Sequence, residues 1–509
     1  MTMTPLILDA SFVSLESCLE VVVEGRPVQL SRDPDCRSRL EGSLRMVEEM
    51  AASGRSLYGV TTGVGDSVDQ RVQGEDVSEM PRMLARMHGC GMGEEFSPLQ
   101  CRAILFSRLL SLARGYSGLR IAVLETMCDW LNADTVPRIP QEGSVGASGD
   151  LTPLSYIAAC LMGEREMWRE GQRVPSSEIW EAAGKEPFAL GPKETLGIMN
   201  GTSAMSGVSL LTLAHSEYLA HLTCILSGWA VLGLLGNPAH YEAQLMELKA
   251  HPGQAEAAAW IRRVLPGTEA AGRLQDPYSF RCSPQVIGVL LDQLPWMRQQ
   301  LETELNGVND NPVLDAERQR VYHGGHFYGG HMSFLNDSLK TLLANLADLL
   351  DRQMAVLLDP KRNQGLPANL SGSPRPIYHG LKALQVAQSS FTAELLKLCM
   401  PASVFSRSTE CHNQDKVSMG THSARDAMRA VELLAQVCAV QLVTVHQAFE
   451  LRVRQGELDP ATLPPEAQAF REQISELCPF IEEDLALEDT LRSLQAKLLN
   501  AELKLPGAP

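Results

Sequence analysis

The sequence predicts an almost entirely α-helical protein, built as a bundle of long helices. Three observations carry that expectation. Helical periodicity dominates the chain, several periodic segments run for roughly 20 to 30 residues, and Gly- and Pro-rich pieces interrupt them. Little room is left for a sheet. A capped helix opens at Ser97, with Pro98 at its first position and Gln100 completing a capping box, and runs to Arg114 before Gly115. Long patterns follow over 203–235 and 285–305. Leu335, Leu339, Leu342, Leu346, Leu349 and Leu350 then form an apolar face that ends near Asp359-Pro360. The last two patterns span 379–399 and 422–453, and no internal repeat is present. The interruptions, 54–66, 87–98, 136–154, 306–331, 359–376 and 400–420, hold the candidate chemistry. Loops on a rigid scaffold are where such groups concentrate.

Composition narrows the class. A chain of 509 residues can bury a large core and form two or three domains. Hydrophobic content of 44% with 21% charged residues is that of a soluble globular protein. A net charge of −17 argues against nucleic acid or an anionic membrane surface as partner. The most apolar stretch, Ile225 to Gly236, is too short to span a bilayer and reads as core. Met1-Thr-Met-Thr-Pro lacks the basic flank of a secretory signal, and the twelve cysteines contain no Cys-x-x-Cys pair. Reduced thiols in a cytoplasmic protein are expected.

One tripeptide can make an electrophile from backbone alone. Gly149 has no Cβ, so its amide nitrogen can approach the carbonyl carbon of Ala147 and close a five-membered ring. Loss of water from that ring and from the Ser148 side chain leaves an exocyclic methylidene. Such a group accepts amines, which ordinary side chains, mostly nucleophiles, do poorly. Ala-Ser-Gly alone is expected by chance in roughly a fifth of chains this long. The whole run from Gly143 to Ser155, Gly-Ser-Val-Gly-Ala-Ser-Gly-Asp-Leu-Thr-Pro-Leu-Ser, is far more specific.

With this run stand five other segments, in order. They are Tyr58-Gly-Val-Thr-Thr-Gly-Val-Gly, Gly197-Ile-Met-Asn-Gly-Thr-Ser, Gln275-Asp-Pro-Tyr-Ser-Phe-Arg-Cys-Ser-Pro-Gln, His323-Gly-Gly-His-Phe-Tyr-Gly-Gly-His and Glu410-Cys-His-Asn-Gln-Asp-Lys-Val-Ser-Met-Gly. From about Tyr58 to about Met419 the chain resembles the ammonia-lyases and 2,3-aminomutases that act on histidine, phenylalanine or tyrosine. The resemblance implies an internal 4-methylideneimidazol-5-one (MIO) made from Ala147, Ser148 and Gly149, with no metal or nucleotide. It implies an N-terminal region, 1–205, carrying a lid loop, a ring-binding segment and the MIO loop. A long-helix bundle with a C-terminal helical region, 206–509, would follow. It also implies a homotetramer whose sites each take loops from three subunits.

The same resemblance distributes roles. Tyr58 would remove the β-proton. A phenol with its ordinary pKa of about 10 needs nearby positive charge or donors to do so at neutral pH. Without the tripeptide it would read as a loop tyrosine packed on glycines. Gly63 and Gly65 read as lid hinges. Arg281 can clamp a carboxylate with two parallel hydrogen bonds, and Tyr278, three residues earlier, shares one side of a helical turn. The resemblance makes them the clamp and a proton-handling partner. Asn200, otherwise an Asn-Gly turn, would contact the MIO carbonyl as a neutral donor. Asp150 would assist cyclisation, or simply cap the following helix, and Gln275 is taken as a second supporting residue. Phe327 would pack near the MIO and substrate. His323, His326 and His331 fit no standard zinc spacing, so no metal is expected; the family often has Asn where His326 stands.

Substrate choice rests on three positions. His88 falls in the ring-binding segment, in the register of histidine-specific relatives, and disfavours a bare phenyl ring. Gln414 replaces the glutamate of histidine-specific relatives, and Glu410 matches a carboxylate that faces the substrate amine in phenylalanine-type enzymes. L-Tyrosine emerges narrowly ahead of L-histidine. The expected activity is a carbon–nitrogen lyase releasing ammonia and a trans-arylacrylate. The alternatives are a 2,3-aminomutase using the same residues, and an inactive helical scaffold. The scaffold predicts a damaged chemical position, yet Tyr58, Ala147, Ser148, Gly149, Asn200, Tyr278 and Arg281 are all present.

Overall fold

In the computed structural model, which describes residues 3–267 and 273–507, helix accounts for 58% of the chain. The long helices are Ser203–Leu234, Ser283–Leu305, Gly330–Leu358, Lys382–Lys397 and Gly420–Arg454. All five lie within about five residues of their periodic patterns at the start and closer at the end. Lys382–Lys397 begins later than its pattern because Gly380, at φ +56°, turns the chain just ahead of it. Strands are three or four residues long and form small sheets. Leu6–Leu8 runs parallel to Val28–Leu30, and Thr135–Pro137, Glu166–Arg169 and Gln172–Pro175 make an antiparallel trio.

Two compact units are present. The first comprises Met1–Leu211, Arg298–Asp337 and Pro401–Arg425; the second comprises Thr212–Met297, Ser338–Met400 and Asp426–Pro509. The first unit is threaded by helix Pro98–Leu112, buried from Cys101 to Leu112. Its expected capping box is formed: the Ser97 hydroxyl accepts from the Gln100 N–H at 3.3 Å, and the Gln100 side chain accepts from the Ser97 N–H at 2.9 Å. Ser97→Ala should cost about 1 kcal/mol, read as a lower urea midpoint for the transition that unfolds this unit. An unshifted midpoint would mean that packing along the buried helix, not the cap, sets its stability.

In the second unit, polar side chains on the long helices hold a neighbouring helix and a connecting loop. Arg452, fully buried, donates to the carbonyls of Gly233 at 2.9 Å and Asn363 at 2.6 Å. Gln353 donates to the Ser227 hydroxyl at 2.9 Å. The leucine face is present with one change: Leu343, not Leu342, joins Leu335, Leu339, Leu346 and Leu350 at 0% exposure. Ser203–Leu234 and Gly420–Arg454 are long and apolar enough to cross a membrane, so the shortness of Ile225–Gly236 does not settle its role. Burial does: 83% and 78% of their most apolar windows lie inside the fold, which marks them as core helices.

Candidate active site

The tripeptide stands directly ahead of helix Leu151–Leu161. Gly149 adopts φ +68°, and a Cβ there would collide with the Gly201 carbonyl oxygen, so only glycine permits this packing. The next N–H, that of Asp150, donates to the same carbonyl at 2.7 Å. The Asp150 carboxylate is fully buried and does not cap its own helix. One oxygen accepts from the Met205 N–H at 2.8 Å, in the first turn of Ser203–Leu234. The other accepts from the hydroxyls of Thr421, in the first turn of Gly420–Arg454, and of Ser144 at 3.3 Å. Asp150 therefore ties the starts of three helices around the tripeptide, where their partial positive charge favours developing negative charge. Burial pushes its pKa up to about 6, and those donors hold it from rising further.

Asn200 follows helix Glu194–Met199 and is pinned at both ends of its amide. Its Nδ2 donates to the Ser148 carbonyl at 2.8 Å, and its Oδ1 accepts from the Asn311 N–H at 2.6 Å. This bonding also assigns the amide orientation. The buried Arg108 guanidinium braces the same segments, donating to the Asn200 carbonyl and to Asn309 Oδ1, each at 3.1 Å. A ring closed between Gly149 N and the Ala147 carbonyl carbon would keep the Ser148 carbonyl as its own, already facing this donor. The glycine-only cradle and the waiting amide fit an MIO.

A cavity of about 910 Å³ in the first unit gathers eight of the expected residues: Tyr58, His88, Ala147, Ser148, Asn200, Phe327, Glu410 and Gln414. Leu84, Met87, Leu196 and Met199 supply apolar wall. His88 terminates helix Asp76–Met87, with Nδ1 3.0 Å from the Leu84 carbonyl. Burial lowers its pKa, opposed by that carbonyl and assisted by the Arg165 cation, which favours the neutral ring. Gln414 Nε2 donates to the Ser148 hydroxyl at 3.3 Å, and its Oε1 accepts from Thr409 at 3.3 Å. Tyr58 accepts the Gly65 N–H at 2.7 Å. Burial pushes its pKa above the ordinary value, the Gly65 donor opposes this, and the Glu410 charge adds to it. Glu410 itself accepts from the Asp66 N–H.

Of the histidine run, His323 lines the cavity and His326 and His331 do not. Lys416, Asn413 and Asn311 do line it, although none was singled out from the sequence. Lys416 and Asn413 lie inside the quoted 410–420 segment, and Asn311 belongs to a run, Asn309-Asp-Asn-Pro, whose polar density was the available signal. A second cavity of about 680 Å³, lined by Arg37, Trp180 and Lys185 among others, holds none of the expected groups. Two of its basic residues pair with acids, Arg37 with Glu125 and Lys185 with Asp129.

Tyr278, Arg281 and Gln275 belong to the second unit and do not line the 910 Å³ cavity. Tyr278 and Arg281 share the turn Tyr278–Arg281, with the guanidinium 4.7 Å from the tyrosine ring centroid. Tyr278 is 72% exposed. The Arg281 Nε–H has no hydrogen-bond partner among the described residues.

Fold and site together define a lyase: residues 13–476 match the aromatic amino acid lyase family, and the chain belongs to that family, the MIO-dependent ammonia-lyases and 2,3-aminomutases. It is a carbon–nitrogen lyase of the ammonia-lyase type. The chain is 33% identical to histidine ammonia-lyase of Myxococcus xanthus (strain DK1622), covering 98% of this chain and 97% of that one. It is 36% identical to histidine ammonia-lyase of Geobacillus thermodenitrificans (strain NG80-2), over 85% and 87%. It also superposes on tyrosine aminomutase from Streptomyces globisporus with a TM-score of 0.89, at 29% identity and 98% coverage of both chains.

Proposed function

We propose that the protein eliminates ammonia from an aromatic L-amino acid whose ring carries an N–H or O–H donor, L-histidine first, yielding the trans-arylacrylate (urocanate in that case). The carrying observation is His88. A neutral imidazole that donates Nδ1–H to the Leu84 carbonyl, 3.0 Å away, leaves Nε2 as an acceptor in the ring-binding wall. An imidazole N–H or a phenol O–H satisfies it; a phenyl ring leaves it unpaired. Between the two donors, relatives named histidine ammonia-lyases move L-histidine ahead of the L-tyrosine that the sequence balance favoured. Gln414 does not oppose this, since a neutral imidazole needs no carboxylate partner.

When formed, the MIO supplies an electrophile for the substrate amine. The chain's own groups do the rest. Tyr58 takes the β-proton at its hydroxyl oxygen, Asn200 holds and polarises the ring carbonyl, and Phe327 with the apolar wall excludes water from the substrate ring. Arg281 clamps the carboxylate and Tyr278 handles a proton beside it, both offered from another copy in a homotetramer. The exposed Tyr278 supports that assembly, as does the apolar side chain of Val386, 69% exposed. Asp150 and Gln275 support ring formation.

The test is incubation with L-histidine, L-tyrosine and L-phenylalanine, with chromatography for arylacrylates and β-amino acids. Urocanate as main product supports the proposal; a β-amino acid as main product would assign the aminomutase outcome. His88→Leu should lower kcat/KM for histidine relative to phenylalanine by about tenfold or more. An unchanged ratio would remove His88 from recognition.

A further inference from the structure

Glu410 lies in a turn with an uncommon backbone. Thr409 and Gln414 close it with reciprocal hydrogen bonds of 2.9 and 3.3 Å. Between them Glu410, Cys411 and His412 adopt φ of +52°, +53° and +66° in succession. Side chains rarely take that left-handed conformation, and three in a row persist only where surrounding bonds impose it. The turn delivers the Glu410 carboxylate to the lid. Both oxygens lie within hydrogen-bond reach of the Asp66 N–H, at 3.0 and 2.9 Å. A Cβ on Gly65, itself at φ +59°, would collide with the carboxylate, so lid and acid approach as closely as glycine allows.

The adjacent N–H, that of Gly65, donates to the Tyr58 hydroxyl at 2.7 Å. Two consecutive peptide groups thus have one end on Glu410 and the other on Tyr58. The remaining bonds of residues 63–70 are local, from Gly63 to Gln70 and within the turn Gly65–Asp69. Among the described residues, Glu410 is their one hydrogen-bonded tie to a distant part of the chain. We propose that Glu410 is a positioning residue, which sets the place of the Tyr58 hydroxyl by holding the lid peptide Gly65–Asp66. The proposal rests on Tyr58 being the proton acceptor, whereas its first readout, made on the substrate-free enzyme, does not.

The experiment compares Glu410→Ala and Glu410→Gln with the parent enzyme. Hydrogen exchange is followed by mass spectrometry in the peptide spanning residues 59–71, with the rest of the chain as reference. Loss of a charge-assisted acceptor in Glu410→Ala should speed exchange there by about tenfold or more, with the reference unchanged. Glu410→Gln, which keeps an acceptor oxygen, should restore most of the protection. In turnover, Glu410→Ala should lower kcat with KM changed less than kcat, and Glu410→Gln should recover part of kcat. Unchanged lid exchange in Glu410→Ala overturns the proposal, as does acceleration spread over the whole chain in both variants. A rise in KM with kcat intact also overturns it, since Glu410 would then act on substrate alone. If the enzyme proves inactive on every amino acid, lid exchange still decides whether Glu410 holds the lid.

Discussion

Ser148→Ala is expected to fold as the parent does and to lose on the order of 10³-fold or more in turnover, the scale set by deleting a group that acts only in the reaction. The side chain is half-buried, and its hydroxyl makes one hydrogen bond, accepted from Gln414 at 3.3 Å. Its loss should cost the fold no more than about 1 kcal/mol. The proposed chemistry depends on it entirely, because the methylidene carbon would be the Ser148 Cβ after its hydroxyl has left as water. Intact mass separates the cases without any assay of turnover. The parent chain should be lighter than its translated sequence by two waters, and Ser148→Ala should keep its full mass. A parent at full translated mass, or a Ser148→Ala variant with undiminished turnover, would end the reading of this site as one that makes its own electrophile.

The second large effect concerns the proton. Tyr58→Phe should lower kcat by about 10²- to 10⁴-fold, the range for removing a general base. Burial raises the Tyr58 pKa, the Gly65 N–H opposes it and Glu410 adds to it, so the base form is scarce at neutral pH unless a cation arrives. If Arg281 reaches the site from another copy, as proposed, its guanidinium is such a cation. Two consequences follow. Because the working form is the deprotonated one, kcat/KM should rise with pH towards the Tyr58 pKa, and Tyr58→Phe should lack that rise. Chains carrying only Tyr58→Phe or only Arg281→Ala should be nearly inactive alone. Co-expressed, they should recover activity, since some mixed sites receive Tyr58 from one chain and Arg281 from the other. No recovery on co-expression would place both groups of a site in one chain.

How much of this is legible in the sequence depends on whether the signal is local. Helical periodicity located the five long helices because a buried stripe repeats every three to four residues whatever it packs against. The Ser97 capping box was readable for the same reason: both its bonds span three residues. Glycine at 149 could be argued from the ring it must close. Asp150 could not, since its partners Met205 and Thr421 are 55 and 271 positions away, and helix capping was an equally local explanation. Lys416 and Asn311 carried no periodic or motif signal strong enough to single them out. Leu342 and Leu343 are adjacent, and which one faces inward is decided by the neighbouring side chains.

What the chain by itself determined is its class, a helical architecture, and the candidate parts proposed for its chemistry: a tripeptide able to cyclise, a tyrosine, an asparagine and an arginine. Only the tertiary structure decided how those parts meet. It turned Asp150 from a possible cap into a tie between three helix starts, and set His88 Nδ1 3.0 Å from the Leu84 carbonyl. It also set the Glu410 carboxylate against the Asp66 N–H. The reason is physical. Periodicity and ring-closing geometry act over a few bonds, whereas a hydrogen bond across hundreds of residues exists only after packing has brought its two ends together.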